Sequence, residues 1–310
     1  MDFRVFVEPQ NGASFADQLV IAQAAEDAGF NGFFRSDHFL TMDQRNGGLP
    51  GPTDSWVTLG AIATHTSRLR LGTLVSSATF RHPSLLAIQA AQVDAMSGGR
   101  VELGLGTGWF EAEHVAYGFP FPAKRFGPFQ ESLAIITGLW STPVGETFSY
   151  EGEHYRLVDA PALPKPVQAH VPIIIGGNGA TKTPSIAARY ADEFNGFLAS
   201  DEVVSERIER VNEAAAKAGR PAGAIRFSIA AATAVGSSDA EVARRAEAAG
   251  STVDRLAAMG FSGSPQRVVD RVGHLLELGV TRIYFQILDM RDLDHVALIG
   301  EAVLPHFING

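Results

Sequence analysis

Three short clusters in this chain carry side chains that could do chemistry. The first is Ser36-Asp37-His38-Phe39, where a carboxylate adjoins an imidazole. A histidine changes charge near neutral pH, so His38 suits a general acid or base, or a hydrogen-bond donor to a ring oxygen or nitrogen. The same Asp-His pair could also be a purely structural contact. The second cluster is Gly104-Leu-Gly-Thr-Gly-Trp109, followed by Glu111, Glu113 and His114. Its third glycine comes too soon for a dinucleotide fingerprint. It would instead leave bare backbone against which a flat ring could lie, with Trp109 as a side wall or as core packing. The two glutamates and His114 could polarise a substrate, or form a solvated helical turn. Glu111 and Glu113 are two residues apart on one turn, so they cannot face the same site equally. The third cluster is Gly176-Gly177-Asn178-Gly179, leading into a helix. Glycines let backbone approach an anion closely, and a helix N-terminus offers free N–H groups, so this turn suits a phosphate. Thr181 and Lys182 could add a hydroxyl and a charge. The competing reading is a tight turn that needs glycine for its geometry alone.

Other chemistries are excluded. Glu111-x-x-His114 and Glu151-x-x-His154 share the spacing of di-iron helix bundles, but that site needs both copies on facing helices, and the second falls in a hairpin signal. No metal is therefore expected. The chain has no cysteine, which removes disulfides, thiolate metal sites and cysteine nucleophiles. His-Glu-x-x-His and Gly-x-Ser-x-Gly motifs are missing as well.

The elements that must position these clusters alternate along the chain. Strand-like runs occupy Phe3–Glu8, Gly32–Ser36, Leu69–Ser76, Val101–Gly106, Pro172–Gly176, Glu193–Leu198, Arg226–Val235 and Arg282–Leu288. Several are almost wholly apolar, as parallel strands covered on both faces are. Helical patterns follow each, over Ser14–Ala28, Thr53–Thr66, Pro83–Met96, Phe126–Trp140, Pro184–Tyr190, Glu202–Ala218, Asp239–Met259 and Pro265–Leu278, with Asp292–Val303 closing the series. Eight strand–helix units predict an α/β fold, a (β/α)8 TIM barrel, in one domain over residues 1–310. Two stretches interrupt the rhythm. An insertion at about 141–170, before the fifth strand, carries a hairpin signal centred on Glu151-Gly152. The Gly- and Pro-rich Phe39–Pro52 reads as a mobile loop over the barrel mouth. Both loops would shape a substrate pocket, which Phe39, Trp56, Phe80 and Trp109 would wall.

In such a barrel the active site lies where strands end, which is where Asp37-His38, Ser76-Ser77, the Gly104–Trp109 turn, the Gly176–Gly179 turn and Gln286 all fall. The formal charge of −9, with no basic stripe, argues against nucleic acid. No run approaches the roughly 18 apolar residues of a membrane span. Met1–Gln10 carries Asp2, Arg4 and Glu8 where a signal peptide would be apolar, so a cytoplasmic protein is expected.

Taken together, several segments resemble the luciferase-like monooxygenase superfamily, specifically its F420-dependent oxidoreductase branch. They are Ser36 to Phe39, Leu71 to Pro83, Asp94 to Trp109, Glu113-His114-x-x-Tyr117-Gly118, and Pro172 to Gly179 running on to Asp192. The resemblance covers nearly the whole chain in order. It implies coenzyme F420 (or, in the alternative, FMN) bound at the barrel mouth. It also implies a bulge in the third strand with a non-prolyl cis peptide between Leu74 and Val75, backing the ring. By motif, Asp37, His38, Val75, Ser77, Thr107 and Gly108 would contact the ring or its ribityl chain, with Trp109 beside them. Gly176, Gly177, Asn178 and Gly179 would hold the phosphate. The implied activity is hydride transfer between the deazaflavin C5 and a small organic substrate, with His38 as the acid or base. The alternative is a monooxygenase using reduced FMN and O2. Relatives that oxidise sugar phosphates carry Glu directly after the Gly-Thr-Gly turn. This chain has Trp109 there, which puts that substrate class in doubt. The resemblance further implies a homodimer packed through the first three helices.

Overall fold

The computed structural model describes residues 1–42, 48–177 and 179–308. Its strands are β1 (Asp2–Val7), β2 (Gly32–Arg35), β3 (Arg70–Thr73), β4 (Ser76–Ser77), β5 (Val101–Gly106), β6 (Phe148–Glu151), β7 (Arg156–Ala160), β8 (Ile173–Gly176), β9 (Glu193–Phe197), β10 (Arg226–Val235), β11 (Phe261–Gly263) and β12 (Arg282–Gln286). Eight of them close a parallel ring in the order β1-β2-β3-β5-β8-β9-β10-β12, with β12 returning to β1. Helices α1 (Phe15–Asp27), α2 (Ser55–Ala63), α3 (Pro83–Ser97), α4 (Glu111–Tyr117), α5 (Phe126–Ser141), α6 (Lys182–Tyr190), α7 (Asp201–Lys217), α8 (Asp239–Ala248), α9 (Val253–Met259), α10 (Pro265–Glu277), α11 (Leu293–Ala302) and α12 (Pro305–Ile308) fill the connections. The fold is the expected (β/α)8 barrel.

Alternation along each strand sorts side chains into two cores. Phe3, Val5, Leu103, Ile173, Ile283 and Phe285 face outward and pack against the helices. The inward set, Phe6, Phe34, Leu74, Ile174, Ala230 and Tyr284, fills the barrel centre. There the Phe34 and Tyr284 rings meet edge-on at 5.2 Å between centroids. Two glycines make room for this core and for the neighbouring strand. A Cβ on Gly72 would stand 2.5 Å from the Phe34 ring, and one on Gly104 would stand 2.0 Å from the Thr73 carbonyl oxygen.

The interior is not apolar throughout, contrary to what the strand composition suggests. At the N-terminal end of the barrel, Glu102 on β5 accepts from Arg4 on β1 at 2.8 and 3.0 Å, from Arg70 at 2.6 Å and from Arg282 at 2.9 Å. Glu193 binds Arg282 and takes the Tyr284 hydroxyl at 2.9 Å. Burial opposes ionisation of Glu102, but the three guanidinium groups outweigh it and hold its carboxyl well below the usual range. A cavity of about 780 Å³ opens at this end, and its central charged groups are paired with one another.

One local expectation needs correction, and two features go beyond the sequence reading. The run Asp239–Met259 is two helices, because Gly250 adopts φ +66° after α8 and Thr252 caps a new helix at Arg255 N. The short strand β11, parallel to β10 outside the closed ring, has no distinct sequence signal. The insertion forms the expected antiparallel hairpin β6–β7, but it packs on α5. Phe148 lies where a Cβ on Gly138 would be, and Glu131 accepts from the backbone of Glu153, His154 and Tyr155. Among the described residues no helix is long and apolar enough to cross a membrane.

Candidate active site

The C-terminal ends of the strands surround a second cavity, of about 690 Å³. Its floor is the upper layer of the barrel interior, Phe6, Leu74 and Ala230. Asp37, His38, Leu74, Val75, Ser77, Thr107, Gly108, Trp109, Gly176 and Gly177 all line it. Residues from four separate strand ends thus share one wall. Asn178 lies outside the described residues, as do residues 43–47 of the expected mouth loop, although Met42 of that loop lines the cavity. Gly179 is not part of the lining. A Cβ there would stand 2.5 Å from Thr183 Oγ1, so at this position glycine is required by packing. Lys182 places its ammonium 5.2 Å over the Phe126 ring and is not in the lining either.

Between β3 and β4 the chain passes through a cis peptide joining Leu74 and Val75, the bond the resemblance implies. Val75 projects among glycines. A Cβ on Gly106 would come 2.9 Å from its Cγ2, and one on Gly176 would lie 3.4 Å from its Cγ1. Gly108, at φ +77°, has no room for a Cβ, which would stand 2.3 Å from Ser77 Oγ. One side of the cavity is therefore flat: bare backbone, one valine and two hydroxyls. Such a surface suits a planar ring system, and the Gly176–Gly177 backbone ahead of α6 suits an anionic tail. The residues present fit F420 or FMN.

His38 and Asp37, adjacent in sequence, have different surroundings. Asp37 is buried and its carboxylate is held by Arg81, at 3.1 Å to Oδ1 and more closely at Oδ2, and by the Ser76 hydroxyl at 2.7 Å. Burial pushes its pKa up, but Arg81 and Ser76 outweigh that and lower it. Asp37 is thus a fixed anion anchoring the end of β2. The His38 Nδ1 lies 3.0 Å from Glu113 Oε2, and Glu113 is fully buried. The other Glu113 oxygen accepts from the Phe39 and Leu40 amides, the latter at 2.9 Å. Since a carboxylate only accepts, Nδ1 carries a proton and Nε2 is the nitrogen left for the cavity. Burial disfavours the imidazolium, but the hydrogen bond and charge of Glu113, with Glu8 and Asp37 beyond, raise the His38 pKa above 6.5.

The remaining candidates divide. Glu111 is exposed, so only Glu113 of the pair faces inward. Trp109, 64% exposed, stands edge-on to His38 at 6.0 Å and stacks on Phe110 at 5.3 Å. It is a wall, not core. Phe80 lines the cavity. Trp56 does not: it is buried and donates from Nε1 to Ser76 Oγ at 3.3 Å, behind the wall. Phe39 packs on Phe80, Tyr117 and Phe119, away from the lining. Gln286 bonds Glu8 without joining the lining. The hairpin insertion contributes no lining residue. Sequence reading missed Glu8, Asn195 and Phe197, which do line the cavity. Glu8 and Phe197 sit at the ends of β1 and β9, where the strand-end rule points, whereas Asn195 is the middle residue of β9 and carries no such signal. Burial pushes the Glu8 carboxyl up, against the pull of His38 and hydrogen bonds from Asn11 and Gln286.

Comparison with known proteins places this geometry among relatives. The sequence profile of the luciferase-like monooxygenase family matches residues 1–254. An uncharacterized protein of Mycobacterium tuberculosis is 33% identical over 214 residues, 64% of this chain and 73% of that one. An F420-dependent glucose-6-phosphate dehydrogenase of Segniliparus rotundus is 36% identical over 211 residues, 65% of this chain but only 59% of the relative. In fold, the solved structure of an F420-dependent secondary alcohol dehydrogenase with an F420–acetone adduct aligns at a TM-score of 0.83. That alignment covers 97% of this chain and 98% of the other at 17% identity.

Proposed function

The chain belongs to the luciferase-like monooxygenase family, and from that premise we propose that it is an F420-dependent oxidoreductase acting on a small, uncharged organic substrate. The observation carrying this reading is the meeting of His38, Val75, the Gly106–Gly108 turn and the Gly176–Gly177 turn on one cavity. The relatives that act with F420 support the choice of cofactor. Leu74 and Val75 would back the ring, Ser77, Thr107 and Gly108 would contact its edge and ribityl chain, and the Gly176–Gly177 backbone would hold the phosphate. Bound F420 supplies a carbon that takes or gives a hydride. The protein orients the substrate against it and moves the accompanying proton.

His38 does the latter. With Nδ1 donating to Glu113, its Nε2 can give a proton to a carbonyl oxygen being reduced, or take one from an alcohol being oxidised. Trp109, Phe110, Phe197 and Met42 give the mouth an apolar rim. No lysine or arginine occurs among the described lining residues. A sugar phosphate, the substrate named for the Segniliparus enzyme, would meet no lysine or arginine among those described residues, and Trp109 occupies the turn that carries a glutamate in such enzymes.

Fluorescence quenching with F420 and with FMN tests the cofactor. Tighter F420 binding is expected, whereas a clear FMN preference together with O2 consumption on turnover would make the protein a flavin monooxygenase. His38→Ala should keep F420 binding within a few-fold while lowering turnover by about 10²-fold or more.

A further inference from the structure

His114 is buried on α4 and takes no part in the proton transfer assigned to His38. Its Nδ1 lies 2.8 Å from the Phe110 carbonyl oxygen, which can only accept, so Nδ1 carries a proton. In the neutral ring Nε2 then has only a lone pair. Thr79 Oγ1 lies 2.6 Å from it, so the Thr79 hydroxyl must donate to His114. Ser77 Oγ lies 2.6 Å from Thr79 Oγ1. The Thr79 proton is already committed, so Ser77 must donate to Thr79.

We infer that His114 and Thr79 are positioning residues that turn the single Ser77 proton away from the cavity and fix Ser77 as a hydrogen-bond acceptor there. The chain of three is locked sterically as well. The bare Cα of Gly108 lies against Ser77 and Thr79, where a Cβ would stand 2.3 and 2.9 Å from their oxygens. Phe80 and Phe121 pack on the His114 ring at 4.9 and 4.6 Å between centroids, so the ring cannot swing to exchange its nitrogens. The consequence is a selection rule for the occupant. The group facing Ser77 must be a donor, an imide N–H or a hydroxyl, because a second lone pair would meet an unfavourable acceptor.

The inference uses the proposed cofactor as its probe, so two measurements separate the claims. In the protein without ligand, histidine ¹⁵N NMR reads the tautomer directly; the His114 signal, one of nine, is identified by its loss in His114→Gln. An Nδ1–H tautomer is expected, and an Nε2–H tautomer overturns the relay whatever the protein binds. The second measurement is a double-mutant cycle on F420 dissociation constants. Thr79→Val should weaken binding by about three- to tenfold in the wild-type background. In the Ser77→Ala background it should have no further effect, and Thr79→Ser should restore the wild-type value. Additive losses would make Thr79 merely structural and overturn the relay. A wild-type protein that binds neither F420 nor FMN would overturn the proposed function instead, with the hydrogen order still decided by the tautomer.

Discussion

Replacing Glu113 by glutamine tests the electrostatic logic of the site with almost no change of shape. The amide oxygen can still accept from the Phe39 and Leu40 amides, as Glu113 Oε1 does. The chain after β2 should therefore keep its course. The amide NH2 then faces His38 Nδ1 in place of a carboxylate oxygen at 3.0 Å. A nitrogen opposite an N–H donor must act as acceptor, so His38 is driven to the Nε2–H tautomer and resists a second proton. What is lost is one charge-assisted hydrogen bond to a buried carboxylate, about 1.5–3 kcal/mol. At about 1.36 kcal/mol per pH unit, the His38 pKa should fall by about 1–2 units. The sign follows from its direction in the wild type. A histidine whose folded pKa lies above 6.5 contributes stability that is present below 6.5 and lost as pH rises through the folded value. NMR titration of His38 in both proteins measures the shift without knowledge of the substrate. In turnover that needs protonated His38, kcat/KM should fall at a pH lower by the same 1–2 units. A His38 titration that is unmoved, or moved upward, would refute the assignment of Glu113 as the group that charges His38.

The other expectations concern the frame around the cavity. Arg81→Met removes the cation bonded to the buried Asp37 carboxylate and should cost about 3–5 kcal/mol at neutral pH. Because the folded pKa of Asp37 is lowered, the wild type gains stability above the usual carboxylate range and loses it on acidification, so urea midpoints of the two proteins should converge as pH falls. Gly104→Ala would set a Cβ 2.0 Å from the Thr73 backbone oxygen, an atom that cannot yield, and should destabilise by at least about 3 kcal/mol in urea melts. Glu8→Gln should act oppositely. Burial raises the Glu8 pKa, so its contribution to stability is present at acid pH and lost as pH rises, and the amide should stabilise the protein at neutral pH by up to about 1 kcal/mol, less near pH 4.

The sequence by itself determined the parts of this protein that depend on near neighbours. Strand and helix periodicity is local, so all eight barrel strands were legible, and so was the hairpin between Phe148 and Ala160. The glycine turns at Gly104–Gly108 and Gly176–Gly179 were legible for the same reason: close approach and positive φ leave few residue types available. Even the site could be approached through the rule that barrel chemistry lies at strand ends, which found His38 and Ser77 and also reaches Glu8; Asn195, in the middle of β9, lies outside it.

Only closure of the barrel decided which of these residues meet. Arg4, Glu102, Glu193 and Arg282 look like isolated charges in apolar strands, and they form one buried network because parallel strands of matched register bring them to one level. Glu113 reads as one acid on a short helix until the fold sets it against His38, 75 residues away in sequence. Trp56 and Trp109 carry the same side chain, and one became core and the other a cavity wall according to which side of the strand ends they reached. The physical reason is common to all three. A charge or an aromatic ring takes its role from desolvation and from partners a few ångströms away in space, and those partners are assigned by long-range strand pairing, which local sequence does not encode.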